Sequence, residues 1–153
     1  MTYKHTQFSY LILVVTLIVL ALFAWMYITA SAEPVSYNSG PNFAITSIMT
    51  LIVFLLASFI SLHVRIDEKH IAIKFGYGIF QKKFSLDDIL SAKIVKNHRY
   101  YGWGIRVWFW PKMWIFNVSG FDAVEIKMKN DKIYRIGSDE PKKLEQAILK
   151  AMR

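Results

Sequence analysis

Two long apolar runs open the chain, and strict alternation of apolar and polar residues takes over after them. Residues 6–32 contain no Asp, Glu, Lys or Arg, and neither do residues 34–64. Within them, residues 8–28 and 43–62 form apolar stretches of 21 and 20 positions. A helix rising about 1.5 Å per residue needs about 20 residues to cross about 30 Å of hydrocarbon. The pattern therefore predicts a hairpin of two membrane-spanning helices over about 8–28 and 43–62. A core helix in a chain of this size would be shorter and would keep a polar face. Ala30-Ser31-Ala32 resembles a signal-peptidase site. The run before it exceeds the roughly 7–15 residues of a signal sequence and follows a single Lys4, so the first helix is expected to remain.

Beyond residue 63 the period changes to two, the mark of half-buried strands. Ile71, Ile73 and Phe75 alternate with Ala72 and Lys74, and Gly76-Tyr77-Gly78 reads as a hairpin turn. Val124, Ile126 and Met128 alternate with Glu125, Lys127 and Lys129, and Asn130-Asp131 turns the chain back. Strands are predicted near 64–67, 70–75, 79–85, 90–96, 114–118, 122–129 and 132–136. Short strands joined by tight turns are expected to pair antiparallel. The tail then switches to helical spacing at Leu144, Ala147, Ile148 and Ala151, predicting a helix over about 139–152. Ser138 or Asp139 would cap it, and Pro141 is tolerated only in its first turn.

Charge adds topology to this outline. Of the 19 Lys and Arg residues, only Lys4 precedes His63, and the net charge of the chain is +8. The segment between the apolar runs carries Glu33 and no Lys or Arg, whereas Arg65 and Lys69 follow the second run. Because Lys and Arg beside membrane helices stay cytoplasmic, both termini and the β domain are expected inside, with the Pro34, Gly40 and Pro41 loop outside. Residues 1–63 would be the membrane hairpin and residues 64–153 the basic β domain. The chain has no cysteine, which removes disulfides and Cys-ligated zinc.

Particular motifs sharpen the domain. Gly102-Trp103-Gly104-Ile105-Arg106, Phe116-Asn117-Val118-Ser119-Gly120, Asp122-Ala123-Val124-Glu125-Ile126 and Arg135-Ile136-Gly137-Ser138-Asp139-Glu140-Pro141 together make a pattern that resembles the bacterial pleckstrin-homology-like membrane proteins of unknown function. The resemblance covers the whole chain. It implies two membrane helices followed by a seven-stranded antiparallel sandwich or barrel closed by a C-terminal helix, in the bacterial inner (plasma) membrane. It brings no activity or ligand with it.

The segment from 97 to 114 concentrates the unusual chemistry. It holds four of the five Trp residues, with Tyr100, Tyr101 and Phe109 interleaved with Arg99, Arg106 and Lys112. Tyr and Trp join an apolar body to a polar edge, and Arg and Lys meet phosphate, so the mixture suits a lipid headgroup layer. Arg99, Tyr100, Arg106, Trp108, Trp110, Lys112 and Trp114 are the candidate membrane or partner-binding residues. The competing reading places Trp103, Trp108 and Trp114 in the core.

Other chemistries find little support. A nucleic-acid interface would need a recognisable reading motif, and none is present. His5, His63, His70 and His98 lack metal-ligand spacing, and Asp87-Asp88 would point to opposite faces of a strand. No G-x-S-x-G elbow occurs, so no enzyme and no cofactor are expected. Ser47, Thr50, Ala57, Ser58 and Ser61 share one face of the second apolar run, which lets helices approach closely. The expectation is a non-enzymatic binding or scaffold module anchored in the membrane, engaging anionic phospholipid, a protein partner or a second copy. The alternative is an accessory subunit that meets a larger membrane complex through its helices.

Overall fold

Ahead of the first apolar run, Tyr3–Phe8 forms a strand, β1. In the computed structural model, which describes residues 3–32 and 43–152, this strand turns directly into helix α1, Tyr10–Ala32. Ser9 alone separates them. Its Oγ accepts a hydrogen bond from the Ile12 N–H at 3.3 Å, and its carbonyl accepts one from Leu13 at 3.0 Å. Ser9 thereby satisfies donors that a helix start leaves unpaired. At about 1.5 Å per residue α1 is about 34 Å long, long and apolar enough to cross a membrane. The expected external loop with Glu33, Pro34, Gly40 and Pro41 lies outside the described residues.

The second helix, α2, spans Phe43–Ala57 and is about 22 Å long. It ends well before residue 62, where the apolar run led us to expect its end, and falls short of the roughly 30 Å of hydrocarbon. Among the described residues α1 is therefore the one helix long and apolar enough to cross a membrane. The Ser58 N–H reaches the carbonyls of Phe54 and Leu55, Phe59 that of Leu56, and Ile60 that of Ala57. This tightened turn releases the chain as strand β2, Ser61–Ile66. Leu62, Val64 and Ile66 are buried in the core of the β domain. The end of the apolar run therefore belongs to a sheet.

β2 pairs antiparallel with β1 along its full length, with Tyr3 opposite Ile66 and Phe8 opposite Ser61. The two apolar helices are thus an insertion into a β-hairpin, and His63, where the domain boundary was expected, sits within β2 opposite Thr6. The inward positions of β1 are mostly polar because they meet loop ends. Gln7 Nε2 donates to the carbonyl and to Oγ of Ser119, both at 3.0 Å, and Ser119 Oγ donates to the Phe8 carbonyl at 3.1 Å. His5 pairs with Asp139 and, at 3.5 Å, with Glu140.

Strands β3, His70–Phe75, and β4, Gln81–Ser85, complete the first sheet in the order β1-β2-β3-β4. The second sheet contains β5 (Ile89–Lys96), β6 (Gly104–Phe109), β7 (Lys112–Asn117), β8 (Asp122–Met128) and β9 (Ile133–Gly137), in the order β5-β8-β9-β7-β6. Seven strands were expected, and the described residues form nine; β1 and β6 are the additions. Pairing is antiparallel except between β7 and β9, which run parallel and so depart from the expectation. The tight turn at Asn130-Asp131 fixes β9 antiparallel to β8. β9 then fills the slot beside β7 in the same direction.

The sheets stack around one core, to which Ile73, Phe75 and Phe84 contribute from the first and Phe116, Val124, Ile126 and Ile136 from the second. Helix α3, Pro141–Ala151, buries Leu144 and Ile148 against β5, β8 and β2. Its N-cap position is taken by Glu140, without a side-chain cap hydrogen bond, and not by Ser138 or Asp139. Ser138 Oγ instead accepts the Glu140 N–H at 3.1 Å. On the outside of α3, Glu145 accepts the Ile94 N–H of edge strand β5 at 3.0 Å. One open side of the β-sandwich is therefore sealed, and the side between β4 and β6 is left open.

The junction with α2 is tightest at Gly76. This residue has φ +43°, and a Cβ there would lie 2.6 Å from the Ser58 carbonyl oxygen. Gly76→Ala is expected to lower stability by about 2–4 kcal/mol, because left-handed backbone strain and a backbone clash act together. Gly120→Ala, at φ +69° with nothing within 4 Å of its Cβ, is expected to cost about 1–2 kcal/mol from strain alone. Denaturant unfolding of the two variants checks this; equal losses would show that the close approach to α2 contributes nothing.

Candidate functional site

The aromatic and basic segment is a hairpin standing on a short turn. His98, Tyr100 and Tyr101 cluster at its foot, with His98 and Tyr100 rings parallel at 5.0 Å and Tyr101 edge-on to both. β6 and β7 then run out and back, pairing Gly104 with Asn117 and Phe109 with Lys112. The alternation Ile105, Val107, Phe109 against Arg106, Trp108 gives the hairpin two unlike faces.

One face is supported from behind. Tyr101, Met113 and Ile115 form a second small core, and Trp108 packs against it with its ring 4.9 Å from Tyr101. Trp108 Nε1 donates to the Trp110 carbonyl at 2.9 Å, and Arg106 Nε donates to the Trp103 carbonyl at 3.2 Å. Arg135 lies over the Tyr101 ring at 5.8 Å and bonds Glu125 at 2.8 Å. Burial pushes the Tyr101 phenol above its ordinary pKa, partly offset by Arg135. Arg99 sits 6.0 Å from the Phe121 ring.

The other face continues the main core into the open. Phe116 is buried, Trp114 is 39% exposed, and Phe109 and Trp110 at the tip are 82% and 90% exposed. Among the described residues of the β-sandwich these two are the most exposed aromatics. Of the expected residues, Trp110 and Lys112 lie at the tip, Trp114 turns toward the interior, Trp108 is support, and Arg99 and Tyr100 remain at the foot. Neither Trp103, Trp108 nor Trp114 enters the main core.

Beyond the hairpin, on the unsealed side of the sandwich, lies a cleft of about 390 Å³. Phe75, Phe80, Phe116, Trp114 and Tyr134 give it aromatic walls, and Lys82 and Lys132 also line it. Its apolar end abuts the turn after α2: the Phe59 ring is 5.2 Å from Phe80 and 5.4 Å from Phe75. Sequence reasoning missed this cleft, although one signal was present. Lys82 pairs with Ile73 and Phe84 with Ile71, so Lys82 occupies a core-facing position of an edge strand.

A third feature is the outer face of the first sheet. Lys4 stands opposite Arg65, His63 opposite Lys74, and Ala72 opposite Lys83. Of these pairs only Lys4 and Arg65 oppose like charges directly, which costs stability; Lys74 and Lys83 add to the same basic face. His63 bridges to β1 through Thr6 Oγ1 at 2.8 Å and contacts Ser61 Oγ of its own strand at 3.2 Å. Burial first, then Lys74 and Lys4, hold its imidazole below the ordinary pKa.

The small-residue face expected on the second helix is divided. Ser58 and Ser61 are buried beyond the helix end, where Ser58 Oγ donates to the Phe54 carbonyl at 3.0 Å. Ser47 and Thr50 remain on the exposed surface of α2. No protein-family model matches the chain, and no curated protein matches it.

The depressed pKa of His63 gives a signed expectation. The folded state binds its proton less readily than the unfolded chain. The resulting stability is present above about pH 6.5 and is lost as pH falls through the folded value. His63→Gln should flatten the fall in thermal midpoint between about pH 7.5 and 5. Superimposable pH profiles for the two proteins would remove His63 as the cause.

Proposed function

We propose that this chain is a non-enzymatic binding module held at the cytoplasmic face of the bacterial plasma membrane. In this reading α1 and α2 are the membrane hairpin, the sandwich is of the pleckstrin-homology type, and the exposed hairpin tip with the basic sheet engages anionic phospholipid. The observation that carries it is the junction. A single residue joins β1 to α1, and three residues join α2 to β2, so the sandwich cannot tumble on a tether. A module fixed this rigidly presents the same surfaces to the bilayer at all times. The sign of the basic face matches an anionic leaflet, which attracts each Lys or Arg by about 1 kcal/mol.

The chain contains no cysteine, so Trp110→Cys creates one labelling site. A polarity-sensitive fluorophore there, in full-length protein reconstituted into anionic vesicles, should shift to the blue, be quenched by brominated lipid, and revert at high salt. An emission spectrum identical in anionic vesicles, neutral vesicles and detergent would rule out lipid contact by the tip. Release of the protein by alkaline carbonate would overturn the anchor itself.

The helices favour a second reading, an accessory subunit of a larger membrane complex. No side chain of α2 is buried. A gap of about 570 Å³ opens between Phe23, Met26 and Tyr27 on α1 and Ile45, Met49 and Thr50 on α2, room for side chains of another helix. A photocrosslinker at Thr50 should then capture a distinct protein from native membrane. Adducts confined to lipid and to α1 would discard this reading.

A further inference from the structure

We infer that the cleft between β4 and the β6–β7 hairpin is a binding site for a single-chain anionic amphiphile, of the fatty-acid class, drawn from the adjoining bilayer. The inference deepens the membrane-anchored reading and rests on it for the source of the ligand. Three observations define the occupant. First, the cleft is graded along its length. Ile105, Phe80 and Phe116 line the end beside Phe59 and the α2 turn, Trp114 and Tyr134 the middle, and Lys82 and Lys132 also line it. The register places Phe116 beside Ile136 and Trp114 beside Tyr134. Lys132 therefore follows at the end away from the helices.

Second, these lysines occupy positions that a sandwich normally gives to apolar residues. Lys82 has the parity of buried Phe84, and Lys132 that of buried Tyr134 and Ile136. Lys112, opposite Phe109, shares the inward parity of Trp114 and extends the basic end toward the hairpin tip. No acid lines the cleft, and neither Lys82 nor Lys132 pairs with an acid among the described residues. Lys82 and Lys132 are themselves exposed, so water solvates them in the empty cleft; an anion with an apolar body would pair with them while its tail covers the aromatic wall.

Third, the size selects one chain. About 390 Å³ lies near the lower limit for small-molecule sites. The four residue steps from Phe116 to Lys112 span about 13 Å of strand. One acyl chain fits that slot with its carboxylate at Lys132 and its tail toward α2, with Lys82 one pleat beyond Phe80 along the slot; a two-chain phospholipid does not. The helix lies close by: Phe59 packs against Phe75 and Phe80 at the cleft's aromatic end, and Tyr77 stacks on Phe54 of α2 at 5.5 Å.

The test uses full-length protein in nanodiscs and a twelve-carbon fatty acid bearing a terminal diazirine, with adducts mapped by mass spectrometry. Adducts are expected on cleft residues such as Phe80 and Phe116, and excess dodecanoate should compete them away where dodecanol does not. Lys82→Glu with Lys132→Glu should lower cleft labelling by about tenfold, the scale of a charge-assisted contact, and Lys82→Arg with Lys132→Arg should preserve it. Labelling confined to α1 and α2, equal competition by dodecanol, or undiminished labelling in the charge-reversed variant would each overturn the site. So would a photocrosslinker at the rim residue Ile79 that traps polypeptide in cells and no lipid. Carbonate extraction of the same membranes reads the anchor separately, so a failed anchor and an unoccupied cleft give different results. An inward lysine can also serve only to keep an edge strand from pairing with other chains. In that case the charge-reversed variant would label normally, and a Lys82→Val variant would self-associate on size exclusion.

Discussion

Everything in this molecule depends on the antiparallel pairing of β1 with β2 across the two helices. The pairing is continuous from Tyr3–Ile66 to Phe8–Ser61, and the helices leave from its end without slack. The ladder continues into α1 through Ser9, whose N–H bonds the Ile60 carbonyl at 2.7 Å. Hydrogen bonds and core packing on one side, and apolar helices on the other, thus share the same two strands. Neither half can rotate against the other without breaking the ladder.

That coupling gives the asymmetry of the sandwich a meaning. Two stacked sheets leave two open sides, and a small domain must cover both or expose apolar surface. α3 covers the side at β5 with Leu144 and Ile148. The side at β4 and β6 receives no element among the described residues and instead carries aromatic walls, exposed Ile79 and lysines at the inward-facing register positions. The sealed side is ordinary core packing. The unsealed one lies next to the helix that would enter the bilayer, which makes it the better place to look for chemistry.

The parts of the fold that sequence reasoning caught are those with an unambiguous period. The hairpin at Gly76-Tyr77-Gly78, the β8–β9 hairpin and the terminal helix follow from alternation, turn residues and the Leu144–Ile148 spacing. What escaped lacked such contrast. Residues 58–62 are as apolar as the helix before them, so the change from helix to strand leaves no mark in hydropathy. β1 hides because its inward residues His5 and Gln7 answer Asp139 and Ser119 rather than apolar neighbours. β6 hides because both its faces carry apolar or aromatic side chains. The candidate residues split for the same reason: composition gathered them into one segment, and the pleat then sent Trp108 to one face and Trp114 to the other.

The pairing also constrains how the chain can be made. β1 must wait for β2, which follows about sixty residues later, and the closure of so long a loop delays the sheet until both helices exist. For helices threaded through a bilayer, the two strands meet only when both emerge on the same side. A chain with one helix inserted the wrong way leaves Leu62, Val64 and Ile66 without their neighbouring strand and the sandwich without an edge. In the membrane-anchored reading proposed above, strand pairing would thereby act as a proofreading step on insertion, because only the correct topology completes the sheet.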